Sequence, residues 1–338
     1  MSGPRVRRIL RLSAFVWVLA FALAACSNDG PYNTFRPAGP VADKQNDLFW
    51  LVFWIATAVF VLVQGALVVV MVKYRRRSPD DTPKQIHGNS RLEVIWTILP
   101  ALLLAGVAVP TVGTIFDLAE SPAGAMRVEV VGHQWWWEVR YPDLGVVTAN
   151  EVHIPTGEQV VMELTSNDVI HSFWVPRLAG KQDLVPGRTN TLNFAADRPG
   201  TYRGQCAEFC GLSHAQMRFR VVAHQPEEFE TWLEDQRAEA AAPAEGSEAA
   251  ASLPTCLACH QIQGVAPPSD APPQIPAPDL THFGSRQTIA AGILPNTPEA
   301  LARWLRNPPA VKPGSKMPDY NLTEPQIEAL VEYLRGLR

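Results

Sequence analysis

Two long apolar runs occupy the first third of the chain and set what it can fold into. Leu48 to Val72 is 25 residues long with Gln64 as its one strongly polar side chain. Leu92 to Phe116 is equally long, with Glu93 near its start. As a helix each run would extend roughly 37 Å, enough to cross a hydrocarbon core of about 30 Å with some tilt. Between them lies Lys73-Tyr74-Arg75-Arg76-Arg77, with Lys84 and Arg91 further on. Positive charge on a short loop marks the cytoplasmic side, so the N-terminus and everything after Phe116 lie outside. The expectation is a transmembrane hairpin over residues 26–120, with spans at about 48–72 and 92–116.

Residues 1–25 read as an export signal, with Arg5, Arg7, Arg8 and Arg11 ahead of a short apolar run from Phe15 to Ala25. It closes on Leu23-Ala24-Ala25-Cys26, which resembles the lipobox of bacterial lipoproteins and predicts that Cys26 is lipidated. An ordinary signal peptide, or a short anchor with an incidental cysteine, is the alternative. Glu93 stands at the cytoplasmic end of the second span. Its spacing fits a snorkelling interfacial carboxylate as well as a proton route.

From residue 121 to 225 the pattern changes to short alternating runs such as Val128-Glu129-Val130-Val131, Val160 to Leu164 and Phe219 to Val222. Turn signals (Pro155-Thr156-Gly157, Pro186-Gly187-Arg188, Arg198-Pro199-Gly200) separate them, and together they predict an antiparallel β-sandwich. His171 opens one segment. Cys206, Glu208, Cys210, His214 and Met217 fall within twelve residues of another. Thiolate, imidazole and thioether donors together favour copper, and two cysteines allow two metal ions to be bridged. A Cys2His2 zinc site from Cys206, Cys210, His171 and His214 is one alternative, and a Cys206–Cys210 disulfide is another.

In Gln134-Trp135-Trp136-Trp137, strand alternation would put Trp135 and Trp137 on one face and Trp136 on the other. Residues 226–252 are acidic, with a first helix containing Phe229, Trp232 and Leu233 and then an Ala/Glu/Pro/Ser stretch from Ala238 that reads as a flexible tether. The last domain, 253–338, opens with Cys256-Leu257-Ala258-Cys259-His260, the Cys-x-x-Cys-His pattern of covalent haem attachment with His260 on the iron. Met317 is the sixth-ligand candidate, and His282 competes with it. Thr297-Pro298 predicts a helix to Arg306, and Thr323 with Gln326 predicts a capped C-terminal helix. His87, His133, His153 and His224 have no evident metal partners in the sequence. A formal net charge of −4 leaves no basic footprint for nucleic acid.

Four segments resemble, in order, subunit II of haem-copper cytochrome c oxidases. They are Leu92-Glu93-Val94-Ile95-Trp96-Thr97-Ile98-Leu99-Pro100, Gly132 to Trp137, His171 to Pro176, and Gly204 to Cys210. The resemblance covers roughly residues 45 to 225, and with the haem motif it extends to caa3-type oxidases, whose subunit II carries a fused cytochrome c. It implies a Greek-key cupredoxin sandwich with a dinuclear CuA centre and an all-α class I cytochrome c domain. It implies copper ligands at His171, Cys206, Cys210, His214, Met217 and the Glu208 backbone carbonyl, with the Glu208 side chain reaching a magnesium ion shared with subunit I. Trp135 would be the electron entry point and Glu93 the mouth of a proton pathway. Oxygen chemistry with proton pumping would lie in subunit I. Subunit III, a donor such as a cytochrome c or respiratory complex, and membrane lipid would be the other partners, in a bacterial plasma membrane with both soluble domains periplasmic. The rival readings are a nitrous- or nitric-oxide reductase component and a copper-binding or redox-sensing membrane lipoprotein.

Overall fold

The computed structural model describes residues 30–79, 81, 82, 85, 87–265 and 276–338, with Ser13, Val16 and Trp17 before them. Cys26 and nearly all of the predicted signal lie outside the described residues.

The two apolar runs form helices α1 (Pro40–Lys73) and α2 (Ser90–Ala119). Both are longer than the predicted spans, and for α1 the reason is identifiable. The start of α1 packs into the sandwich: Val41 and Ala42 are buried, Ala38 N–H donates to the Arg177 carbonyl, and Asp197 N–H donates to the Ala38 carbonyl. Only beyond that docked turn does α1 become the apolar, protein-free surface that lipid would cover. Asn89 caps α2 by accepting from the Arg91 and Leu92 amides. At the other end of the hairpin Lys44 pairs with Asp117 at 3.1 Å.

The sandwich has two five-stranded sheets, and alternation builds it. The first is ordered β3 (Val146–Ala149), β2 (Trp136–Tyr141), β1 (Met126–His133), β5 (Val160–Ser166), β8 (Asn190–Phe194). The second is ordered β4 (Glu151–Pro155), β10 (Arg218–His224), β9 (Gly200–Cys206), β6 (His171–Trp174), β7 (Gln182–Leu184). The sheets are mixed and depart from the expected purely antiparallel arrangement. β1 runs parallel to β5 and β4 parallel to β10, because the chain crosses between sheets before returning to each edge. Inward residues of β1 and β5 alternate as predicted, and Val128, Val130, Val160, Met162 and Leu164 are fully buried. Trp137 fills the centre, 5.1 Å from the Phe219 ring and 5.9 Å from Phe173.

The predicted alternation of the three tryptophans fails. His133 pairs with Trp136 across the β1–β2 hairpin, so Gln134 and Trp135 form the two-residue turn itself. A turn residue has no place in the strand's two-face register. Trp137 therefore points into the core, Trp136 stacks on His133 at 4.3 Å, and Trp135 projects from the sandwich end.

Helix α3 (Pro226–Gln236) closes the sandwich with Phe229 and Leu233 buried. The C-terminal domain contains α4 (Glu248–Leu257), a two-residue ladder of β11 (Thr288–Ile289) with β12 (Leu294–Pro295), α5 (Pro298–Arg306), α6 (Pro308–Val311) and α7 (Glu324–Gly336). Helix α4 starts five residues ahead of the sequence-derived boundary at 253, capped by Ser247, so the acidic stretch contributes its last part to the haem-motif helix. Thr297 caps α5, and the Thr323/Gln326 capping box starts α7, as expected. Leu301, Leu305, Ile327, Leu330 and Leu334 form this domain's own core.

Candidate copper centre and haem cleft

Strand pairing carries the copper donors to one point. β6 pairs with β9 so that Phe173 faces Cys206, which brings His171, two residues upstream, back to the cysteine loop. The loop between β9 and β10 is closed at its base by Cys206 N–H donating to the Met217 carbonyl at 2.9 Å. Inside it the donors converge. Cys206 Sγ lies 3.9 Å from His171 Nδ1 and 3.8 Å from Cys210 Sγ. Cys210 Sγ lies 3.7 Å from His214 Nδ1 and 3.8 Å from Met217 Sδ. The Glu208 carbonyl accepts from Cys206 Sγ at 3.2 Å.

Each sulfur thus has one imidazole, with a thioether beside one and a carbonyl beside the other. Two free thiols facing each other across this distance suit a bridged pair of soft ions, and the thioether and carbonyl supply the weak outer donors. A four-ligand zinc site would leave Met217 without a role.

One residue of this site has no counterpart in the sequence reading. Asp168 Oδ1 sits 2.9 Å from His171 Nε2, while its carboxylate also accepts from the Gln134 amide at 2.7 Å and the Val169 amide at 2.8 Å. Burial alone would raise its carboxyl, but these donors hold it well below the usual carboxylate range. In return Asp168 raises the basicity of His171 against the opposing effect of burial and fixes Nδ1 as the atom facing the sulfurs. The available signal was an acid three residues before the ligand histidine, too common a spacing to read. Beside them, the Cys210 thiol pulls the Cys206 thiol far below its ordinary value, with burial opposing and His171 assisting. Gly132 completes the pocket, since a Cβ there would come 2.7 Å from the His171 ring.

The haem motif, Met317 and the copper end of the sandwich share one cavity. It encloses about 1110 Å³, open mouth included, and Cys256, Cys259, His260 and Met317 all line it. Leu280, Phe283, Ile289 and Trp304 give it apolar walls. His260 Nδ1 donates to the Pro278 carbonyl at 2.6 Å, which leaves Nε2 as the coordinating atom. The cavity's contents, two thiols, an imidazole and a thioether in an apolar cleft, fit a covalent haem with His/Met ligation. His282 is buried elsewhere and bonds to the backbone at Ala238, so the competing sixth ligand is absent from this cavity.

Trp135 lies between the two sites. Its indole Nε1 donates to the Cys210 carbonyl at 3.1 Å, and its ring lines the haem cleft. Glu93 stands apart in the first turn of α2.

A two-sheet sandwich with a paired-thiol, two-imidazole loop, anchored by an apolar hairpin and followed by a Cys-x-x-Cys-His cleft, defines a membrane-bound copper and haem electron-transfer protein. Family models give the same division. Residues 32–113 match "Cytochrome C oxidase subunit II, transmembrane domain", 145–224 match its "periplasmic domain", and 243–338 match "Cytochrome c". Cytochrome c oxidase subunit 2 of Alkalihalophilus pseudofirmus is 37% identical over 332 residues, covering 95% of each chain. The Bacillus subtilis subunit of the same name is 36% identical over 358 residues, covering 98% of each. Quinol oxidase subunit 2 of Bacillus subtilis is 33% identical over 234 residues, covering 66% of this chain and 71% of its own. Among solved structures, the periplasmic domain of cytochrome oxidase subunit II of Bradyrhizobium japonicum is 30% identical over 35% of this chain and 97% of its own, with a TM-score of 0.34. The chain belongs to the cytochrome c oxidase subunit II family, in the form that carries its own cytochrome c domain. Its cofactors are a dinuclear copper centre and haem c, and it works with the oxidase's subunit I, where oxygen is reduced.

Proposed function

We propose that this chain is the electron inlet of a haem-copper oxidase and that its site residues divide the work as follows. Cys256 and Cys259 would hold the haem by thioethers, and His260 and Met317 would ligate its iron. His171, Cys206, Cys210, His214, Met217 and the Glu208 carbonyl hold the copper pair, and Asp168 orients His171. When bound, the haem and the copper pair supply two one-electron stations. Trp135 bridges them physically, bonded to the Cys210 carbonyl on one side and facing the haem cleft on the other. That placement is the observation that carries the proposal.

The remaining assignments follow the same direction. Phe209 and Leu212, 76% and 73% exposed on the copper loop, give the loop an apolar outer rim suited to burial against subunit I. The exposed Glu208 side chain on that rim would meet the shared magnesium ion. Glu93, at the cytoplasmic end of α2, would open a proton path into subunit I. The membrane is the bacterial plasma membrane, the donor is a cytochrome c or respiratory complex outside it, and subunit III completes the assembly.

Electron paramagnetic resonance and optical spectra of the detergent-solubilised chain test this together. Shared-valence copper hyperfine structure beside a low-spin c-type haem is the expected result. Zinc at the thiolates, or no covalent haem after maturation, overturns it.

A further inference from the structure

The stretch after α3, expected from sequence to be a flexible tether, is instead pinned to the haem-cleft domain. Ala240 N–H donates to the Gln263 carbonyl at 2.9 Å and the Tyr333 hydroxyl donates to the Ala241 carbonyl at 3.1 Å. That domain is seated on the sandwich through buried charge. Lys312 of the haem-cleft domain is 4% exposed and donates from Nζ to the Trp135 carbonyl at 2.6 Å and the Ala290 carbonyl at 3.2 Å. Glu151 of the sandwich is 0% exposed. One of its oxygens accepts from the Gln287 amide at 2.9 Å, the Thr288 amide at 3.0 Å and the Thr288 hydroxyl at 3.2 Å. Glu151 is thus met by the backbone of the other domain, while Lys312 reaches across to the Trp135 carbonyl and takes its second bond from Ala290 of its own domain.

We propose that Lys312 and Glu151 are positioning residues that lock the haem-cleft domain in one orientation, with Trp135 held between the cleft and the copper loop. Burying an ion is unfavourable unless it is hydrogen-bonded, and here three bonds to one Glu151 oxygen and the shorter bond of Lys312 exist only in this docking. Any slide of a few ångströms strips Glu151 of its three cross-domain donors and Lys312 of its shorter bond, leaving Ala290 on the lysine and His153, 3.7 Å from the carboxylate, as what remains. The contact is correspondingly specific. Around the two charges the seam continues through backbone and polar contacts: Arg218 N–H donates to the Ala291 carbonyl at 3.0 Å, and Ser213 Oγ donates to the Pro313 carbonyl. Gly314, at φ +81°, passes so close to Trp135 that a Cβ would come 2.8 Å from the indole ring. Trp135 is therefore fixed from both sides, by the Cys210 carbonyl at its indole and by Lys312 at its own carbonyl. Burial pushes the Lys312 ammonium down to about 7, against the attraction of the thiolate side of the copper loop. The proposal rests on Trp135 as the entry residue.

The test uses the assembled oxidase with Lys312→Met, Glu151→Gln and, in parallel, Trp135→Phe. Losing a charge-assisted hydrogen bond shifts a docking equilibrium by about tenfold or more. Flash-initiated haem-to-copper transfer is expected to slow by about that factor in the Lys312 and Glu151 variants. In Glu151→Gln, kcat with a small reductant falls at unchanged KM, because haem reduction does not involve the joint. Hydrogen exchange at the Gln287 and Thr288 amides speeds up in the same variant, a readout independent of turnover. Transfer within about twofold of wild type in both variants overturns the proposal, since a lost charged bond predicts more. Slow transfer in Trp135→Phe alone then sinks only the positioning claim. Fast transfer in all three sinks the entry reading beneath it as well.

Discussion

The copper loop and the haem cleft secure their groups by opposite means. At the copper loop a hydrogen-bonded ladder sets the donors, with Cys206 paired to Phe173 on one side and tied to Met217 on the other. The cleft is walled by loops, short helices and strand β11, and in the proposed reading two thioethers secure its group. A ladder-built site is geometrically demanding and intolerant of a changed donor. A covalently loaded cleft tolerates local change, and the short β11–β12 ladder in its wall lies within its own domain, so its alignment on the sandwich falls to the seam between the domains.

The largest expected effect separates these two modes outright. Cys210→Ser leaves one sulfur where two must bridge, so the shared-valence copper signal disappears and oxygen uptake by the assembled oxidase is abolished. The covalent haem stain should keep full intensity. Cys259→Ser should do the reverse, keeping the copper signal while one thioether is lost. Loss of both signals in either variant would mean that the two domains do not load independently.

Asp168→Asn comes next. It keeps size and loses the charge that orients His171, and partners of this kind are typically worth about 10–100-fold in metal affinity. Copper retention under a graded chelator challenge measures it. The covalent haem stain should keep full intensity, since Asp168 meets the cleft only through Lys316 at 3.6 Å and the Gln134 amide and holds none of the proposed haem ligands. A wild-type chelator profile would mean that the ladder alone fixes His171.

What the sequence disclosed follows the same division between local and distant contacts. The proposed copper donors could be picked out because five of them fall within one short loop, and the haem motif because it is contiguous. The capped helices at Thr297 and Thr323 were legible because caps act over three residues. Glu151 and Lys312 were not, because their partners lie 136 and 177 positions away in the chain. Trp135 was assigned its role but the wrong local geometry. Strand periodicity carries no information about which two residues turn a hairpin. The docked first turn of α1 was likewise hidden, since Val41 and Ala42 resemble the apolar run that follows them.

A smaller effect concerns a histidine pair that touches neither the copper loop nor the haem cleft, although His153 Nε2 lies 3.7 Å from the Glu151 carboxylate of the seam. His153 Nδ1 and His224 Nε2 lie 2.8 Å apart, and the His153 ring stacks on Trp232 of α3 at 4.3 Å. Burial first, and then the charge of His153, lower the His224 imidazole from 6.5 to about 4. A depressed value means that the unfolded chain takes up the proton first. The contribution is therefore complete above about 6.5 and is lost as the pH falls through about 4. Thermal unfolding of the wild type should show a falling Tm over that window, and His224→Gln should flatten the fall. Copper and haem spectra at pH 5 should match those at neutral pH, because neither site touches this pair. An equal acid response in the variant would place the sensitive group elsewhere.

The smallest effect is expected from salt, and it bears on the seam most directly. The sandwich between residues 127 and 223 carries ten acidic and nine basic side chains, so it presents no net field to steer a donor. At the seam the Lys312 and Glu151 charges are buried, where added ions reach them weakly. Among the described residues the ion pair across it is Lys316 with Asp168 at 3.6 Å, the lysine side chain being 47% exposed, and such solvent-reached pairs contribute about 0–1 kcal/mol. Turnover with a neutral small reductant should then vary by less than about twofold as ionic strength rises past the range where the screening length falls below 10 Å. A steep decline would mean that surface charge, rather than the buried pair, holds the haem-cleft domain against the copper loop.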